Sequence, residues 1–469
     1  MKNNKSFWLE NNEIKKYDYL KENIECDVCI IGGGITGISC AYYLTKEKFN
    51  TVIIEKDRIA SKTTGHTTAK ITSGHELFYE YLIMSKGQEF AQKYYEANEE
   101  AINNIEEIIK EENIQCDFER NNHYIYTTNI DEVSSIQKEV EALNLIGGEN
   151  KFVGKLNIPI KIKGAVKYEN QAKFNPIKYI KGLCNSIDKN NGKIYENTKV
   201  IEYKKDEDIF KIMVETEKEN HIIKAKYLIV ATRYPIFNVP GFHFAKMYQE
   251  MSYAIAVKLP EEINIKDMYI SKDKPTISIR TAKKNNENYL IVVGNNHKTG
   301  EKVCTKERYE ILSEIAKEII GNDIKVEYYW NTEDCIGLDK IPYIGKYSNL
   351  VNNMYVATGY RKWGMTTSNI AANIILDLIK GKDNKYLEIY DSKRLEPIKN
   401  IKEIQNMMEE IGESIVLPRL DLSREKKYCT HLGCELTWNE LTQTWDCPCH
   451  GSRFEKDGKN IEGPAIKDI

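Results

Sequence analysis

The sequence contains no apolar run long enough to span a membrane and no charged-then-apolar start of the kind that marks a secretory signal. It also lacks an excess of either charge, because 67 Lys and Arg residues stand against 70 Asp and Glu residues. A formal net charge of −3 gives no reason to expect a nucleic acid as partner. No Ser/His/Asp set and no pair of carboxylates suited to hydrolysis is recognisable. These absences predict a cytoplasmic protein with no membrane span and with chemistry other than hydrolysis.

Cysteine is sparse over most of the chain and concentrated near its end. The 469 residues leave room for two or three domains. Seven of the eleven cysteines are scattered, and single cysteines in a reducing compartment are usually small buried hydrophobic residues. These seven are Cys26, Cys29, Cys40, Cys116, Cys184, Cys304 and Cys335. Cys26 and Cys29 have C-x-x-C spacing, but they lie in an apolar strand pattern, which disfavours a redox or metal role.

A glycine-rich segment near the N-terminus predicts a dinucleotide-binding unit. The apolar residues 27–31 read as a buried parallel strand that runs into the G-x-G-x-x-G of Gly32, Gly34 and Gly37. Residues 38–46 follow with helical spacing of apolar side chains. In this motif the first glycine makes the turn, the second admits a pyrophosphate and the third lets helix pack on strand. The helix N-terminus then faces the phosphates.

A second strand supports the same interpretation. Residues 51–54 are apolar and end at Glu55, at the separation expected for the acidic residue that binds a ribose hydroxyl. A structural glycine turn is the alternative, but strand, motif, helix, strand and terminal Glu occur together. The residues alone do not separate FAD from NAD. No second dinucleotide motif is recognisable, which argues against direct oxidation of NAD(P)H.

Two short motifs near the C-terminus combine thiol and imidazole ligands. The first is C-x-H and the second is C-x-x-H. Their residues are Cys429, His431, Cys447 and His450. Such a set can hold a [2Fe-2S] cluster with thiolates on one iron and imidazoles on the other. A Cys₂His₂ zinc site uses the same ligand types, but it does not account for Cys434 and Cys449 at matching places in the two motifs.

This segment resembles the Rieske proteins of quinol-oxidising complexes. The resemblance implies that the two motif cysteines bind one iron, that the two histidines bind the other, and that Cys434 and Cys449 form a disulfide. It also matches Ser452 to a serine that hydrogen-bonds a cluster sulfide, and residues 463–465 to the loop that covers the cluster. Phe454 stands where high-potential members have Tyr, and the lost hydrogen bond predicts a lower potential.

The loop at residues 56–70 resembles the flavin-contacting loop of D-amino-acid oxidase/glycine oxidase-like (DAO) flavoproteins, and specifically of a bacterial subgroup with a fused Rieske domain. Further matches follow in order at Asn175 and Pro176, which begin a helix, at Val200, which closes a strand, and at residues 227–232, 339–345 and 355–366. The resemblance implies FAD as the dinucleotide. The FAD contacts that it implies are Gly32, Gly34, Gly37, Glu55, Lys56, Thr64, Gly65, Thr68, Ala69, Val200, Ala231, Thr232, Gly359, Gly364, Met365 and Thr366.

The resemblance implies an α/β flavoprotein with a Rossmann-like FAD domain, a mixed-sheet substrate domain, and a small, truncated all-β Rieske domain at the C-terminus. The FAD domain is assigned to residues 24–78, 160–236 and 330–382, the substrate domain to 79–159 and 237–329, the linker to 383–411 and the Rieske domain to 412–469. The first substrate segment is predicted to be mostly helical. Since few residues precede the first iron ligand, the Rieske segment is expected to lean on the flavin domain.

Candidate catalytic residues lie close to the expected position of the flavin ring. Arg280 ends a strand that should face the ring, and Arg can pair bidentately with a substrate carboxylate. His66 and Lys70 lie in the flavin loop, where they could tune the flavin or the protonation of a substrate. Tyr253 and Trp363 are predicted to line the pocket. An ordinary structural role is the alternative for each of the five.

Together the motifs predict an enzyme that converts two-electron into one-electron chemistry. FAD would oxidise an amine or an amino-acid-like substrate at a C–N bond. Electrons would then pass singly through the [2Fe-2S] cluster to an external one-electron carrier protein. Reversed flow from a donor protein is one alternative, and an electron-carrying or redox-sensing protein is another.

Overall fold

The computed structural model describes residues 5–10, 14–394 and 427–469. The strands, in chain order, are β1 (Ile24–Ile31), β2 (Thr51–Ile54), β3 (Lys70–Ile71), β4 (Glu119–Thr127), β5 (Asn150–Val153), β6 (Gly164–Lys173), β7 (Lys193–Tyr195), β8 (Lys199–Asp206), β9 (Ile209–Glu215), β10 (Asn220–Val230), β11 (Met247–Lys258), β12 (Met268–Ser271), β13 (Ile277–Lys284), β14 (Glu287–Lys298), β15 (Val326–Gly337), β16 (Tyr343–Lys346), β17 (Met354–Thr358), β18 (Thr437–Asn439), β19 (Thr444–Asp446), β20 (Arg453–Glu455) and β21 (Asn460–Glu462). The helices are α1 (Ile35–Lys46), α2 (Tyr79–Lys86), α3 (Gln88–Glu111), α4 (Val133–Leu145), α5 (Pro176–Lys189), α6 (Thr305–Ile320), α7 (Gly364–Ile379) and α8 (Leu387–Tyr390).

An eight-stranded sheet forms the first layer, in the order β16-β17-β10-β1-β2-β7, with the β8–β9 hairpin attached to β10. Strands β1, β2, β7, β10 and β17 run parallel, which puts their carboxyl ends at one edge. The apolar residues at the end of β1 are buried because α1 and α7 cover the sheet. The sites that follow β1, β10 and β17 therefore converge at one edge, as in other parallel sheets.

A nine-stranded mixed sheet forms the second layer, in the order β15-β11-β14-β13-β12-β4-β6-β3, with β5 on β6. Most of its pairs are antiparallel, and β12–β4 is parallel. Strands β3 and β6 and part of β15 belong to this second sheet, although the sequence assigns their residues to the FAD domain. The prediction that residues 79–159 are mostly helical holds for α2, α3 and α4 but misses β4 and β5.

The C-terminal residues 427–469 form a four-stranded antiparallel sheet of three-residue strands, β18–β21. Its small core consists of side chains that the metal motifs and their neighbours supply, including Phe454. A disulfide joins Cys434 and Cys449, as the resemblance implies. The apolar area that this core buries is too small to stabilise a separate domain. Contacts with the rest of the chain must therefore contribute to the stability of this sheet.

Helix boundaries agree with capping chemistry. Asn175 caps α5, and its side chain accepts hydrogen bonds from Ile177 N and Lys178 N at 3.1 Å.

Val200 is the second residue of β8 and does not close a strand as predicted. Most of the predicted linker lies outside the described residues. Within the part of the chain that the structure covers, no helix combines the length and the apolarity needed to cross a bilayer.

Candidate active site

The glycine-rich turn after β1 has a geometry that excludes side chains. Gly32 has φ +109°, which favours glycine, and a Cβ on it would lie 2.8 Å from Ala231 O. A Cβ on Gly37 would lie 1.9 Å from Gly32 O. Gly34 has room on the open side, where the closest neighbour of a Cβ would be Thr64 Oγ1 at 3.3 Å. The turn therefore presents bare backbone and the start of α1 to the cavity, which is the cradle that a pyrophosphate requires.

Glu55 follows β2 at the same edge and is fixed by two backbone groups. Its carboxylate accepts hydrogen bonds from Gly33 N at 2.7 Å and Asp57 N at 2.8 Å. Thr64 Oγ1 accepts a hydrogen bond from Ile35 N at 3.0 Å, which ties the flavin loop to the start of α1. These contacts hold the acidic residue and the loop against the glycine turn.

A large cavity, here called the flavin cavity, runs along this edge. The predicted FAD contacts that line it are Gly32, Gly34, Glu55, Lys56, Thr64, Val200, Ala231, Thr232, Gly359, Gly364 and Met365. Gly37, Gly65, Ala69 and Thr366 lie behind this wall, and Thr68 faces a second cavity. Residues that the sequence analysis missed include Arg233, Asp334 and Tyr360. The position of Arg233 directly after the predicted pair Ala231 and Thr232 is a signal that could have found it.

The second cavity, here called the substrate cavity, lies between the nine-stranded sheet and the flavin loop. Strand residues such as Ser252, Ser278 and Thr332 form one wall, and loop residues such as His66 and Trp363 form the other. Asp334 and Lys362 line both cavities. The substrate cavity is therefore placed where a substrate could meet the reactive part of a flavin.

Two predicted catalytic residues do line the substrate cavity. His66 Nδ1 lies 2.7 Å from Lys62 O, and burial lowers the pKa of His66, so its ring is neutral. The Trp363 ring stacks on His75 with centroids 4.7 Å apart. The indole N–H of Trp363 is buried and has no partner among the described residues. Trp363 thus offers a free hydrogen-bond donor to whatever occupies the cavity.

Three other predicted site residues point elsewhere. The Arg280 guanidinium donates to Thr68 O and Ala69 O, each at 2.7 Å, so it holds the flavin loop and is not available for a substrate carboxylate. Lys70 Nζ donates to Tyr269 O at 2.6 Å and lines neither cavity. Tyr253 lies on the opposite face of β11, with its hydroxyl 2.9 Å from His297 Nε2. The structure therefore corrects the predicted pocket roles of Arg280 and Tyr253, because strand neighbours and a covering loop decide which side chains reach the cavity.

The C-terminal motifs bring together the four predicted iron ligands. Cys429 and Cys447 are buried next to each other. The neighbouring Cys447 thiol and the His431 N–H lower the pKa of Cys429 to about 7, which favours the thiolate form that binds metals. Cys447 also lies close to Cys434 and Cys449, but those two sulfurs are joined in the disulfide and are not thiolate ligands.

The two histidines present nitrogen atoms that have no protein partner. Their rings lie 5.0 Å apart, and burial lowers the pKa of His431 to about 4 and that of His450 to about 3, so both are neutral, as metal ligation requires. His431 Nε2 lies 2.8 Å from Asn238 Oδ1, while its Nδ1 and both nitrogens of His450 are buried without a partner among the described residues. A ligand histidine commonly donates its second N–H to such an oxygen. The residues present therefore fit the cluster that the motifs predict.

The C-terminal sheet packs directly on the flavin cavity. Residues Asn460, Glu462, Gly463, Ala465 and Ile466 are part of the cavity wall. Arg233 Nη2 lies 2.7 Å from Glu333 Oε2 and 3.1 Å from Glu462 Oε2, so one guanidinium joins both parts of the chain. Lys56 Nζ donates to Ile461 O at 2.8 Å. The expectation that the Rieske segment leans on the flavin domain is thus met by polar contacts at the cavity itself.

The substitution Glu462→Gln tests this docking. Burial alone would raise the pKa of Glu462, but Arg233, Lys62 and Lys56 together lower it to about 2. Removing the charge of Glu462 should weaken the docking of the C-terminal sheet on the flavin domain by about 2 kcal/mol. This is less than the cost of breaking a fully buried ion pair, because Arg233 still pairs with Glu333. We expect amide hydrogen exchange in residues 459–466 to become at least about tenfold faster.

The exposed Glu455 on β20 offers a matched control, since Glu455→Gln makes the same chemical change away from the cavity. Equal exchange in the two variants would contradict the assigned role of Glu462.

Comparison with protein families identifies the larger part of the chain. The model of the FAD dependent oxidoreductase family, DAO, matches residues 27–378. The chain belongs to this family. The model of the Rieske [2Fe-2S] domain matches residues 396–469 of the same FAD-dependent oxidoreductase. Its cofactors are FAD and a [2Fe-2S] cluster, and the geometry of the glycine turn and of the four ligand side chains agrees with both.

Relatives support this assignment over different lengths. The Rieske 2Fe-2S iron-sulfur protein YhfW of Bacillus subtilis (strain 168) is 36% identical over 497 residues, covering 99% of this chain and 96% of the relative. Gamma-glutamylputrescine oxidoreductase of Escherichia coli (strain K12) is 22% identical, covering 80% of this chain and 88% of the relative. The crystal structure of L-proline dehydrogenase from P. horikoshii superimposes with a TM-score of 0.67 at 19% identity, covering 80% of this FAD-dependent oxidoreductase and 98% of that chain. This last likeness concerns the fold.

Proposed function

We propose that this FAD-dependent oxidoreductase oxidises an amine or an amino-acid-like substrate at a C–N bond and passes the electrons singly through its Rieske cluster to an external one-electron carrier protein. The observation that carries the proposal is the shared wall of the flavin cavity. Gly463 and Ala465 of the cluster-covering loop line the same cavity as Gly32 and Gly34 of the dinucleotide turn. A contact this close supports electron transfer between the two cofactors.

Different sets of residues would hold the two cofactors. The glycine turn and Glu55 would hold the dinucleotide part of FAD, which when bound supplies hydride acceptance. The start of α7, at Gly364 and Met365, borders the cavity and directs its positive end toward it. The four ligand side chains would hold the cluster, which accepts one electron at a time.

The substrate cavity suits a small polar organic molecule. It is bordered by residues of the nine-stranded sheet on one side and of the flavin loop on the other. Its wall combines Trp363 with hydroxyl groups of Ser252 and Thr332. The substrate named for one relative, gamma-glutamylputrescine, contains an oxidisable C–N bond, which supports the class of reaction proposed for this chain.

The decisive experiment is an anaerobic titration of the purified holoprotein with a panel of amines and amino acids. Flavin absorbance and the electron paramagnetic resonance of the cluster are followed together. We expect some amine to bleach the flavin and to produce the reduced-cluster signal in the same titration. If every amine leaves the flavin oxidised and only a donor protein or dithionite reduces the cluster, the proposal is overturned in favour of reversed flow or a sensor.

A further inference from the structure

We propose that Asp334 binds the ammonium group of a cationic amine substrate and so selects amines over amino acids. This inference rests on the proposed function and specifies its substrate class. Asp334 lies on β15, where Thr332 and Asp334 point to the same face. It lines the flavin cavity and the substrate cavity at once. A substrate nitrogen bound there would lie beside the position of a flavin.

The carboxylate of Asp334 is the unpaired charge of the substrate cavity. The structure shows no hydrogen bond or ion pair between the Asp334 carboxylate and the side chain of another described residue; Lys362 and Arg233 act on it only as nearby charges. The cations around Asp334 are already paired, and Arg233, whose charge acts on Asp334, is paired with Glu333 and Glu462. Lys362 Nζ lies 2.9 Å from Glu250 Oε2, and Arg361 Nη2 lies 2.7 Å from Glu76 Oε2. A cationic ligand would therefore find an available anion, whereas a carboxylate ligand would find no available cation.

The electrostatic balance at Asp334 is consistent with this role. Burial raises the pKa of Asp334 to about 6, against the lowering effects of Lys362 and Arg233, while Glu250 raises it further. Glu250 stands directly opposite Asp334 on β11. At neutral pH the carboxylate is thus mainly ionised without a close partner, a costly arrangement inside a protein. An ammonium ion removes this cost because it supplies both the opposite charge and hydrogen-bond donors.

Two further groups complete a cradle for an ammonium ion. Ser252 and Thr332 face each other across the β11–β15 pair and line the substrate cavity. Their hydroxyl oxygens are buried and have no hydrogen-bond partner among the described residues. An ammonium ion has up to three N–H donors and hydroxyl oxygens accept them. Asp334, Ser252 and Thr332 together can therefore satisfy a primary ammonium group.

A matched pair of ions tests the site without turnover. Tert-butylammonium has no hydrogen on the carbon that bears nitrogen, so it cannot be oxidised to an imine, and pivalate has the same shape with the opposite charge. Calorimetric titration of the holoprotein at pH 7.5, with the flavin difference spectrum as a second readout, should show that tert-butylammonium binds at least about tenfold more tightly than pivalate. Its affinity should fall as the pH drops through about 6, because protonation removes the charge of Asp334. Equal binding of the two ions would overturn the proposal.

The variant Asp334→Asn keeps the size of the side chain and removes its charge. We expect the dissociation constant of tert-butylammonium to rise at least about tenfold. Glu327→Gln is the matched control, since Glu327 is an exposed residue of the same strand, and it should bind as the unmodified protein does. Unchanged binding in Asp334→Asn would overturn the assignment. If Asp334→Asn does not fold, the comparison of the two ions and its pH dependence still decide the question.

Binding and turnover separate this inference from the proposed function. If tert-butylammonium binding depends on Asp334 but no amine reduces the flavin, the cation site stands and amine oxidation fails. If amines reduce the flavin equally well in Asp334→Asn, amine oxidation stands and the role of Asp334 fails.

Discussion

The substitution Cys447→Ser should abolish the iron–sulfur cluster and leave FAD bound. Iron per chain is expected to fall from the two atoms of a [2Fe-2S] centre to nearly none. The reason is that a serine oxygen is a hard and weakly acidic ligand, whereas such clusters are held by soft thiolates. Cys447 is buried against Cys429, so no solvent ligand can readily replace it. Metal analysis together with electron paramagnetic resonance measures the loss.

Cys304→Ser is the appropriate control for this experiment, because Cys304 is a free and exposed cysteine outside the C-terminal sheet. It should retain both iron and flavin. Retention of iron by Cys447→Ser would show that Cys434 or Cys449, whose sulfurs lie close by, supplies a ligand and that the assigned set is incomplete. In an amine titration, Cys447→Ser should still bleach the flavin but give no cluster signal.

The substitution Gly37→Ala should weaken FAD binding about thirtyfold and leave the cluster assembled. The added Cβ would lie 1.9 Å from Gly32 O, and the obstacle is backbone of the glycine turn, not the end of a flexible side chain. The turn must shift away from the position that fits a pyrophosphate. If the overpacking costs about 2 kcal/mol of binding free energy, the affinity for FAD falls about thirtyfold. Flavin absorbance per chain after gel filtration, and a titration with free FAD, measure the effect.

Gly154→Ala provides the comparison for Gly37→Ala. A Cβ on Gly154 meets no atom within 4 Å, and the residue does not have a left-handed backbone conformation. Its flavin content should therefore equal that of the unmodified protein. If Gly37→Ala binds FAD as tightly as the unmodified protein, the backbone at Gly32 can move to accommodate the added Cβ. The contact between Gly37 and Gly32 then does not fix the position of the pyrophosphate.

Motifs whose members lie close together in the sequence were predictable. Gly32 and Gly34 lie in the turn after β1 and Gly37 lies in the first turn of α1, so their spacing alone predicts that the backbone carries no side chains at this crossing. The iron ligands likewise come from two short loops, and the identity and spacing of Cys and His restrict the chemistry before any fold is known. The strands around the turn were predictable for the same reason, because buried parallel strands read as short apolar runs.

Roles that depend on distant partners were not predictable. Arg280 lies on the strand face that the sequence suggests, but the backbone of Thr68 and Ala69 covers its guanidinium. Tyr253 and Ser252 are adjacent in sequence, and only strand pairing decides that Ser252 faces the cavity. The same holds for the sheet membership of β3 and β6, since the pairing of β6 with β4 and of β3 with β6 joins segments far apart in the sequence.

The sequence by itself determined a dinucleotide turn and a Cys/His ligand set, because each rests on residue types at fixed short spacing. The family and the choice of FAD rested on a resemblance spread over segments from residue 56 to residue 366. Tertiary structure alone decided that the cluster-covering loop, at Gly463 and Ala465, forms a wall of the flavin cavity more than 400 positions from Gly34. It also decided that, among the residues the structure describes, the Asp334 carboxylate has no ion-pair partner while Lys362 pairs with Glu250. The physical reason is that charge pairing and cavity walls are set by distances in space, and no local pattern records them.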